Sequence, residues 1–228
     1  METSTGLTGK EQSAIKLGRF SGSGIYKLIP EGRRDMTADE LAEEKAKGGK
    51  RKTIDTPFGD TAMSYIYEKV AERLTGCRKE FKPTAEIRRG IEMEPSAKLY
   101  LEIAKGIKVK NVGVQHDEYT AWSIDGWVDD FNTGIEILCP NSDNHLKYLL
   151  GNQIDIKENY PVKYWQMTFY AWKNNRPNWK FISFDDRFIK NEQRMLLLDF
   201  KVNKEDQEYM INKINLAIEI FNSLISKL

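Results

Sequence analysis

The chain has 228 residues, 35 Lys and Arg against 34 Asp and Glu, a net charge of +1 and a 40% hydrophobic fraction; that is enough for a real core, makes one domain the default, and excludes a mostly disordered chain. It holds no run near the ~20 apolar residues of a membrane span, and METSTGLTGKEQSAIK lacks a signal-peptide core, so an intracellular, cytoplasmic protein with no membrane partner is expected. Cys77 and Cys139 are too few for a disulfide scaffold, a four-cysteine zinc site or an iron–sulfur cluster and read as free thiols, while the near-neutral charge neither favours nor excludes nucleic acid.

Residues 31–52, EGRRDMTADELAEEKAKGGKRK, are dense in charge and almost empty of large apolar side chains. They read as a solvated or mobile surface segment with a short charged helix, or as a basic lip touching a polyanion. Asp60 is placed to cap a helix whose Ala62, Ile66, Val70 and Leu74 form a core stripe ending near Gly76. A second helix is predicted over 88–104, with Ile91, Ala97, Leu99 and Ile103 among charged positions. From 111 to 139 the pattern turns β-like, with Asp129, Asp130 and Asn132 as turn residues, and a strand meander is expected. A turn and short helix follow over 140–151, a helix over 161–172 with Trp165, Phe169 and Trp172 as its core stripe, and strands over 179–184 and 195–202. In 203–228, Ile211, Ile214, Ile218, Phe221, Ile225 and Leu228 recur at three- and four-residue spacing, the stripe of a C-terminal amphipathic helix expected to pack on its own domain. Together these elements predict one α/β domain over 1–228, with a central mixed β-sheet flanked by helices.

The run from Ser123 to Pro140, SIDGWVDDFNTGIEILCP, places Asp125 near a strand end and Glu136 inside the next strand, between Ile135 and Ile137. An acid centred in an apolar strand is costly to bury unless it is paired or binds a cation. Taken singly, Glu136 reads as an edge-strand or ion-paired charge, Asp125 as a turn residue before Gly126, and Glu94 in RRGIEMEPSAKLYLE as a solvent-facing helical charge. If helix 88–104 crosses the strands, the three acids converge, and hard carboxylate oxygens of that kind select Mg²⁺ or Mn²⁺. His145 and Cys139 offer too few ligands for a zinc site.

Four blocks carry a resemblance to a known family: Lys16-Leu17-Gly18 through Ser21-Gly22-Ser23; Gly90 through Glu94 and Ala97; Ser123-Ile124-Asp125-Gly126 with Glu136-Ile137-Leu138-Cys139-Pro140; and Gln166 within Tyr164-Trp165-Gln166-Met167. Over about residues 13–200 the chain resembles the phage lambda exonuclease, or YqaJ-like viral recombinase, family of the PD-(D/E)XK nuclease superfamily. The Asp-Gly and Glu-x-x-Cys-Pro hairpin is its most specific piece. The resemblance implies a restriction-endonuclease-like core and a divalent metal, Mg²⁺ or Mn²⁺, held by Glu94, Asp125, Glu136 and the backbone carbonyl of Ile137. It implies Gln166 orienting the water or the scissile strand, and a 5′-phosphate site at Lys16, Ser23 and Ser123, to which Arg19 is a neighbouring addition. Apart from the resemblance, Lys16 and Arg19 read as surface charge and Ser21 and Ser23 as a flexible loop or cap. The implied activity is 5′-to-3′ degradation of linear double-stranded DNA, leaving a 3′ strand for a single-strand annealing partner. A homotrimer in the cytoplasm of a bacterial or phage-infected cell is implied as well.

One position departs from the family pattern. Where the motif has a catalytic lysine two residues after the glutamate, this chain has Leu138. Acid–base help of that kind contributes ~10²–10⁴-fold. A deliberately inactivated variant, a homologue that has lost cleavage, and a site reached by another cation such as Lys147 or Lys163 all stay open; a silent or weakened enzyme is the leading expectation. The alternatives are a catalytically silent DNA-end-binding homologue, an endonuclease of the same superfamily, or an interaction domain whose acids are surface charge.

Overall fold

The computed structural model describes residues 2–4, 9–78, 82–128, 132–151 and 156–228. In chain order these form β1 (Glu2–Ser4), α1 (Gly9–Lys16), β2 (Phe20–Ser21), a 3₁₀ segment (Gly22–Leu28), β3 (Gly32–Asp35), α2 (Ala38–Ala46), β4 (Thr53–Thr56), α3 (Asp60–Thr75) and α4 (Ala85–Lys105). There follow β5 (Val114–His116), β6 (Thr120–Trp122), β7 (Gly126–Val128), β8 (Thr133–Leu138), α5 (Ser142–Leu150), α6 (Ile156–Asn159), α7 (Pro161–Asn174), β9 (Asn178–Phe184), β10 (Met195–Lys201) and α8 (Lys204–Ser226).

Among the described residues the strands form two four-stranded sheets, β1-β5-β6-β2 and β10-β9-β8-β7, and a β3-β4 ribbon. Both four-stranded sheets combine parallel and antiparallel pairs; in the second, the central mixed sheet, β8 runs parallel to β9, with Glu136 opposite Phe181, and antiparallel to β7, with Gly126 opposite Ile135. The expected single meander over 111–139 is therefore corrected, since β5 and β6 lie in one sheet and β7 and β8 in the other. Alternation reveals a strand but not its partner, and β6 pairs in parallel with β2, about a hundred residues earlier, Phe20 opposite Thr120. The turn expected at Asp129 and Asp130 lies outside the described residues.

Helix α4 is capped by Thr84, whose hydroxyl accepts the Ile87 amide at 3.3 Å, and ends at Gly106 in the left-handed conformation that glycine adopts without steric cost. It presents Ala97 and Leu101 to one face of the mixed sheet, where they pack with Ile135, Ile137, Ile182 and Phe184, and leaves Ile91, Leu99 and Ile103 exposed. Helix α7 packs on the opposite face, toward the larger core built by Trp122, Trp127, Phe169, Trp179 and Phe181. Both faces of β8 are thus covered, which is why its sequence reads as a continuous apolar run around one acid. The stripe expected on 161–172 is buried at Trp165 and Phe169 and half-buried at Trp172.

Helix α3 starts as predicted, but Gly59 holds the cap position and Asp60 is the first helical residue. Its Ala62, Ile66 and Val70 are buried, whereas Leu74, 50% exposed, lies beyond the core. Helix α8 packs on α3 and α7 of its own chain through Met210, Ile214, Ala217 and Phe221, as expected, and the stripe stops short of the exposed Leu228. The charged 31–52 segment carries the short charged helix expected there, α2, bracketed by the β3–β4 ribbon: Thr37 and Glu40 form a capping box, and Arg34 pairs with Glu40 at 2.7 Å. No helix among the described residues is long and apolar enough to cross a membrane.

Candidate active site

Residues from α1, the 3₁₀ segment, α4, the β6–β8 region, α5 and α7 line a cleft of about 750 Å³. Side chains alternate along β8, so Ile135 and Ile137 face α4 while Gly134, Glu136 and Leu138 face the α7 side. Glu136 is only 2% exposed there. Asp125 sits just ahead of β7, and its Oδ2 accepts the Ile137 amide at 2.6 Å, which ties the hairpin's two acids into one frame. Gly126 is needed for close approach: a Cβ there would crowd Val109 and stand 3.0 Å from the Lys110 carbonyl oxygen. Asp-Gly here marks a packed strand start, not the turn read from the dipeptide.

From α7, Lys163, Gln166 and Tyr170 share one helical face at three- and four-residue spacing. Lys163 donates to Glu136 Oε1 in an ion pair and to Gln166 Oε1 at 3.3 Å, and Gln166 Nε2 donates to the Tyr170 hydroxyl at 2.8 Å. Glu136 Oε2 is buried with no hydrogen-bond partner among the described residues. Burial, together with the negative charges of Glu136 and Glu94, pushes the Asp125 carboxyl well above the usual carboxylate range. Burial also raises Glu136, against the opposing pull of Lys163; burial would lower Lys163, but the charge and hydrogen bond of Glu136 prevail and raise it.

Glu94 lines the same cleft from α4, with its Oε1 2.6 Å from Lys98. As placed, no three His, Cys, Asp or Glu side chains among the described residues form a ready metal cage. The chemistry of the set nonetheless fits a hard divalent cation. Two crowded carboxylates and an orphaned Glu136 oxygen lie in one polar recess, with Glu94 and Ile137 on the same walls.

The YqaJ-like viral recombinase domain matches this chain over residues 53–175, more than half its length. The chain belongs to that family. Its fold is similar to that of an alkaline exonuclease from Laribacter hongkongensis, 21% identical, with a TM-score of 0.73 over 96% of this chain and 95% of that one. The same exonuclease in complex with dAMP superposes with a TM-score of 0.72 at 21% identity, over the same shares of the two chains. A phage-related exonuclease from Haemophilus somnus 129PT is 17% identical, with a TM-score of 0.63 over 92% of this chain and 96% of that one. No curated protein matches the sequence. The architecture is accordingly the mixed α/β, PD-(D/E)XK-like fold expected for the family.

The family's remaining expected positions divide. Lys16, Ser21, Ser23 and Ser123 line the acid cleft, with the Ser21 and Ser23 hydroxyls 3.4 Å apart, and burial together with Arg78 lowers the Lys16 pKa. Gly22 between the serines passes against Tyr170; a Cβ there would crowd the ring, 3.1 Å from its Cζ. Arg19 does not join them: it lines a separate depression and donates to the Asp117 carbonyl at 2.7 Å and the Ile15 carbonyl at 2.6 Å. Lys147 contacts Asn144 Oδ1 at 3.4 Å and is not among the residues lining the cleft, so of the two candidate cations Lys163 is the one that meets the acids. His145 is held by Ser183 Oγ at 2.7 Å and the Gln193 carbonyl at 2.8 Å, and burial pushes the Cys139 thiol up to about 12, so neither offers a zinc ligand or a reactive thiolate.

Two features escaped the sequence. Tyr170, the anchor of Gln166, was signalled by nothing beyond its four-residue spacing. The brace that docks α4 was not signalled at all: Arg89 reaches Asp185 Oδ1 at 3.1 Å and Asp186 at 2.8 Å, and both Arg89 and Arg187 donate to the Pro140 carbonyl at 3.3 Å. Its members come from three distant segments.

Proposed function

We propose that this chain is a metal-dependent deoxyribonuclease of the lambda-exonuclease type, one nuclease domain that degrades linear double-stranded DNA from the 5′ end. The observation that carries this reading is the single cleft in which the Asp125–Glu136 hairpin, Glu94, Gln166 and the Lys16–Ser21–Ser23–Ser123 group share walls. Glu94, Asp125, Glu136 and the Ile137 carbonyl would hold the metal. Mg²⁺ or Mn²⁺, when bound, polarises a phosphoryl oxygen and lowers the pKa of water. Gln166, fixed by Tyr170, orients the water or the scissile strand. Lys16, Ser23 and Ser123 supply the charge and hydroxyl donors that a terminal 5′-phosphate needs, placed before it arrives. Arg19, engaged by two backbone carbonyls, is left out of that group. The complex of the Laribacter exonuclease with dAMP adds support, since a mononucleotide is what stepwise hydrolysis from an end releases. A 3′ single strand handed to an annealing protein, a trimeric assembly and a cytoplasmic setting complete the reading, on the strength of the family.

The second reading is a DNA-end-binding homologue with little turnover, and Leu138 at the motif-lysine position favours it. The test compares 5′-phosphorylated linear duplex, 5′-hydroxyl duplex and covalently closed circle, each with Mg²⁺ and with EDTA. Metal-dependent loss of the phosphorylated linear duplex, with the circle intact, is expected. Cutting of the circle would replace the exonuclease with an endonuclease, and end binding without cleavage would favour the second reading.

A further inference from the structure

We propose that Lys163 supplies the cation that the nuclease motif normally places two residues after its glutamate, delivered in this chain from helix α7 instead of strand β8. The inference rests on the nuclease reading above and adds to it a catalytic residue that the motif does not contain.

Side chains alternate between the two faces of β8. A residue two positions after Glu136 lies on the same face of the strand, so a motif lysine would project beside Glu136 toward α7. Here that position is Leu138, half-buried and packed against the large core, and its side chain carries no charge to the cleft. The same face is reached from across the interface by Lys163, which ion-pairs with Glu136 Oε1 and stands 3.3 Å from Gln166 Oε1. The strand's missing ammonium and the helix's present one therefore serve the same patch of cleft wall. Lys147 and Lys98 do not substitute: the first bonds to Asn144 and the second is taken by Glu94.

A purely structural role explains this arrangement poorly. Burying a lysine–carboxylate pair is often no more stabilising than a packed apolar pair of similar volume. The pair also leaves Glu136 Oε2 without a partner among the described residues, on the residue proposed to bind the metal. An ammonium on one carboxylate oxygen and an unused second oxygen suit a site that must hold a cation and offset negative charge on a phosphate at once. In the reaction, the oxygen of water bonds to phosphorus and the P–O3′ bond breaks. One proton of that water ends on the departing 3′ oxygen and the other on the new phosphate or in solvent. Lys163 faces the phosphate oxygens and the water during this exchange, and is itself unchanged at the end.

The experiment measures single-turnover cleavage of 5′-phosphorylated linear duplex with Mg²⁺, and DNA-end binding in EDTA. It uses the wild-type protein, Lys163→Met, Lys163→Gln, Leu138→Lys, and Leu138→Lys combined with Lys163→Met. Lys163→Gln keeps a hydrogen-bond donor for Glu136 and guards against loss of the fold, which circular dichroism checks. Both Lys163 variants are expected to cleave ~10²–10⁴-fold more slowly with end binding within a few-fold of wild type. Adding Leu138→Lys to Lys163→Met should recover at least about tenfold, a rescue that a structural ion pair would not show. Wild-type rates in folded Lys163→Met or Lys163→Gln would overturn the inference. So would a silent wild type beside an active Leu138→Lys, or an active Leu138→Lys with no rescue in the double variant; these leave the nuclease reading standing. Cleavage by none of the five would overturn both.

Discussion

Replacing Asp185 by Asn tests how α4 is held against the mixed sheet. The Asp185 side chain is fully buried at the end of β9, and its two oxygens receive Arg187 Nε and Nη2 at 2.8 Å each, the Arg187 amide at 3.1 Å, Ser142 Oγ at 2.7 Å and Arg89 Nη2 at 3.1 Å. Burial by itself would raise this carboxyl; the Arg187 guanidinium, the Ser142 hydroxyl and the Arg187 amide outweigh it and bring it from 3.8 to about 2. A shift of that size corresponds to roughly 2.5 kcal/mol, or about 1–2 kcal/mol after discounting for the solvent around the half-exposed Arg187. Asparagine keeps the shape but turns an NH₂ toward a guanidinium, adding an unsatisfied donor that costs about 1–3 kcal/mol. We expect Asp185→Asn to lose about 2–4 kcal/mol in urea unfolding at pH 7. Because the folded pKa is depressed, this contribution is fully present above about pH 4 and is lost as pH falls toward 2, so the gap between wild type and variant must narrow across that window. A gap that is the same at pH 7 and pH 2.5 would refute the electrostatic reading. Since Arg89 shares the carboxylate and belongs to the helix that carries Glu94, cleavage should fall along with stability.

Asp125→Asn should abolish cleavage yet raise metal-free stability by about 1 kcal/mol, because burial and two neighbouring carboxylates disfavour its charge in the folded state. Thermal unfolding with and without Mg²⁺ checks this: the metal should stabilise wild type and do little for the variant, and a destabilised metal-free variant would count against charge crowding. Gly22→Ala places a methyl against the Tyr170 ring and 3.2 Å from Phe169 Cδ1, so it should cost about 1–3 kcal/mol and disturb the Gln166 anchor. Urea unfolding paired with a cleavage assay tests it, and an unchanged protein would show that the 3₁₀ segment yields freely.

Much of the molecule was legible in the sequence because it is local. The 3.6-residue stripes of α3, α7 and α8 and the apolar runs of β8, β9 and β10 appear where side-chain periodicity places them. The association of Asp125 with Glu-x-x-Cys-Pro was visible as well, since both acids lie close together in one stretch of chain, although Asp-Gly opens strand β7 instead of making the turn it reads as. Tertiary structure alone decided which strands share a sheet, because β2 and β6 meet across a hundred residues and alternation says nothing about partners. It also decided the fate of the cations. Arg19, Lys147 and Lys163 are alike as sequence, each a basic residue near a motif. Packing sends Arg19 to backbone carbonyls and Lys147 to α5's own face, and it carries Lys163 across the α7–β8 interface onto Glu136. A long flexible ammonium takes whatever partner the fold brings within reach, so its role belongs to the contact between elements and is written in neither element alone.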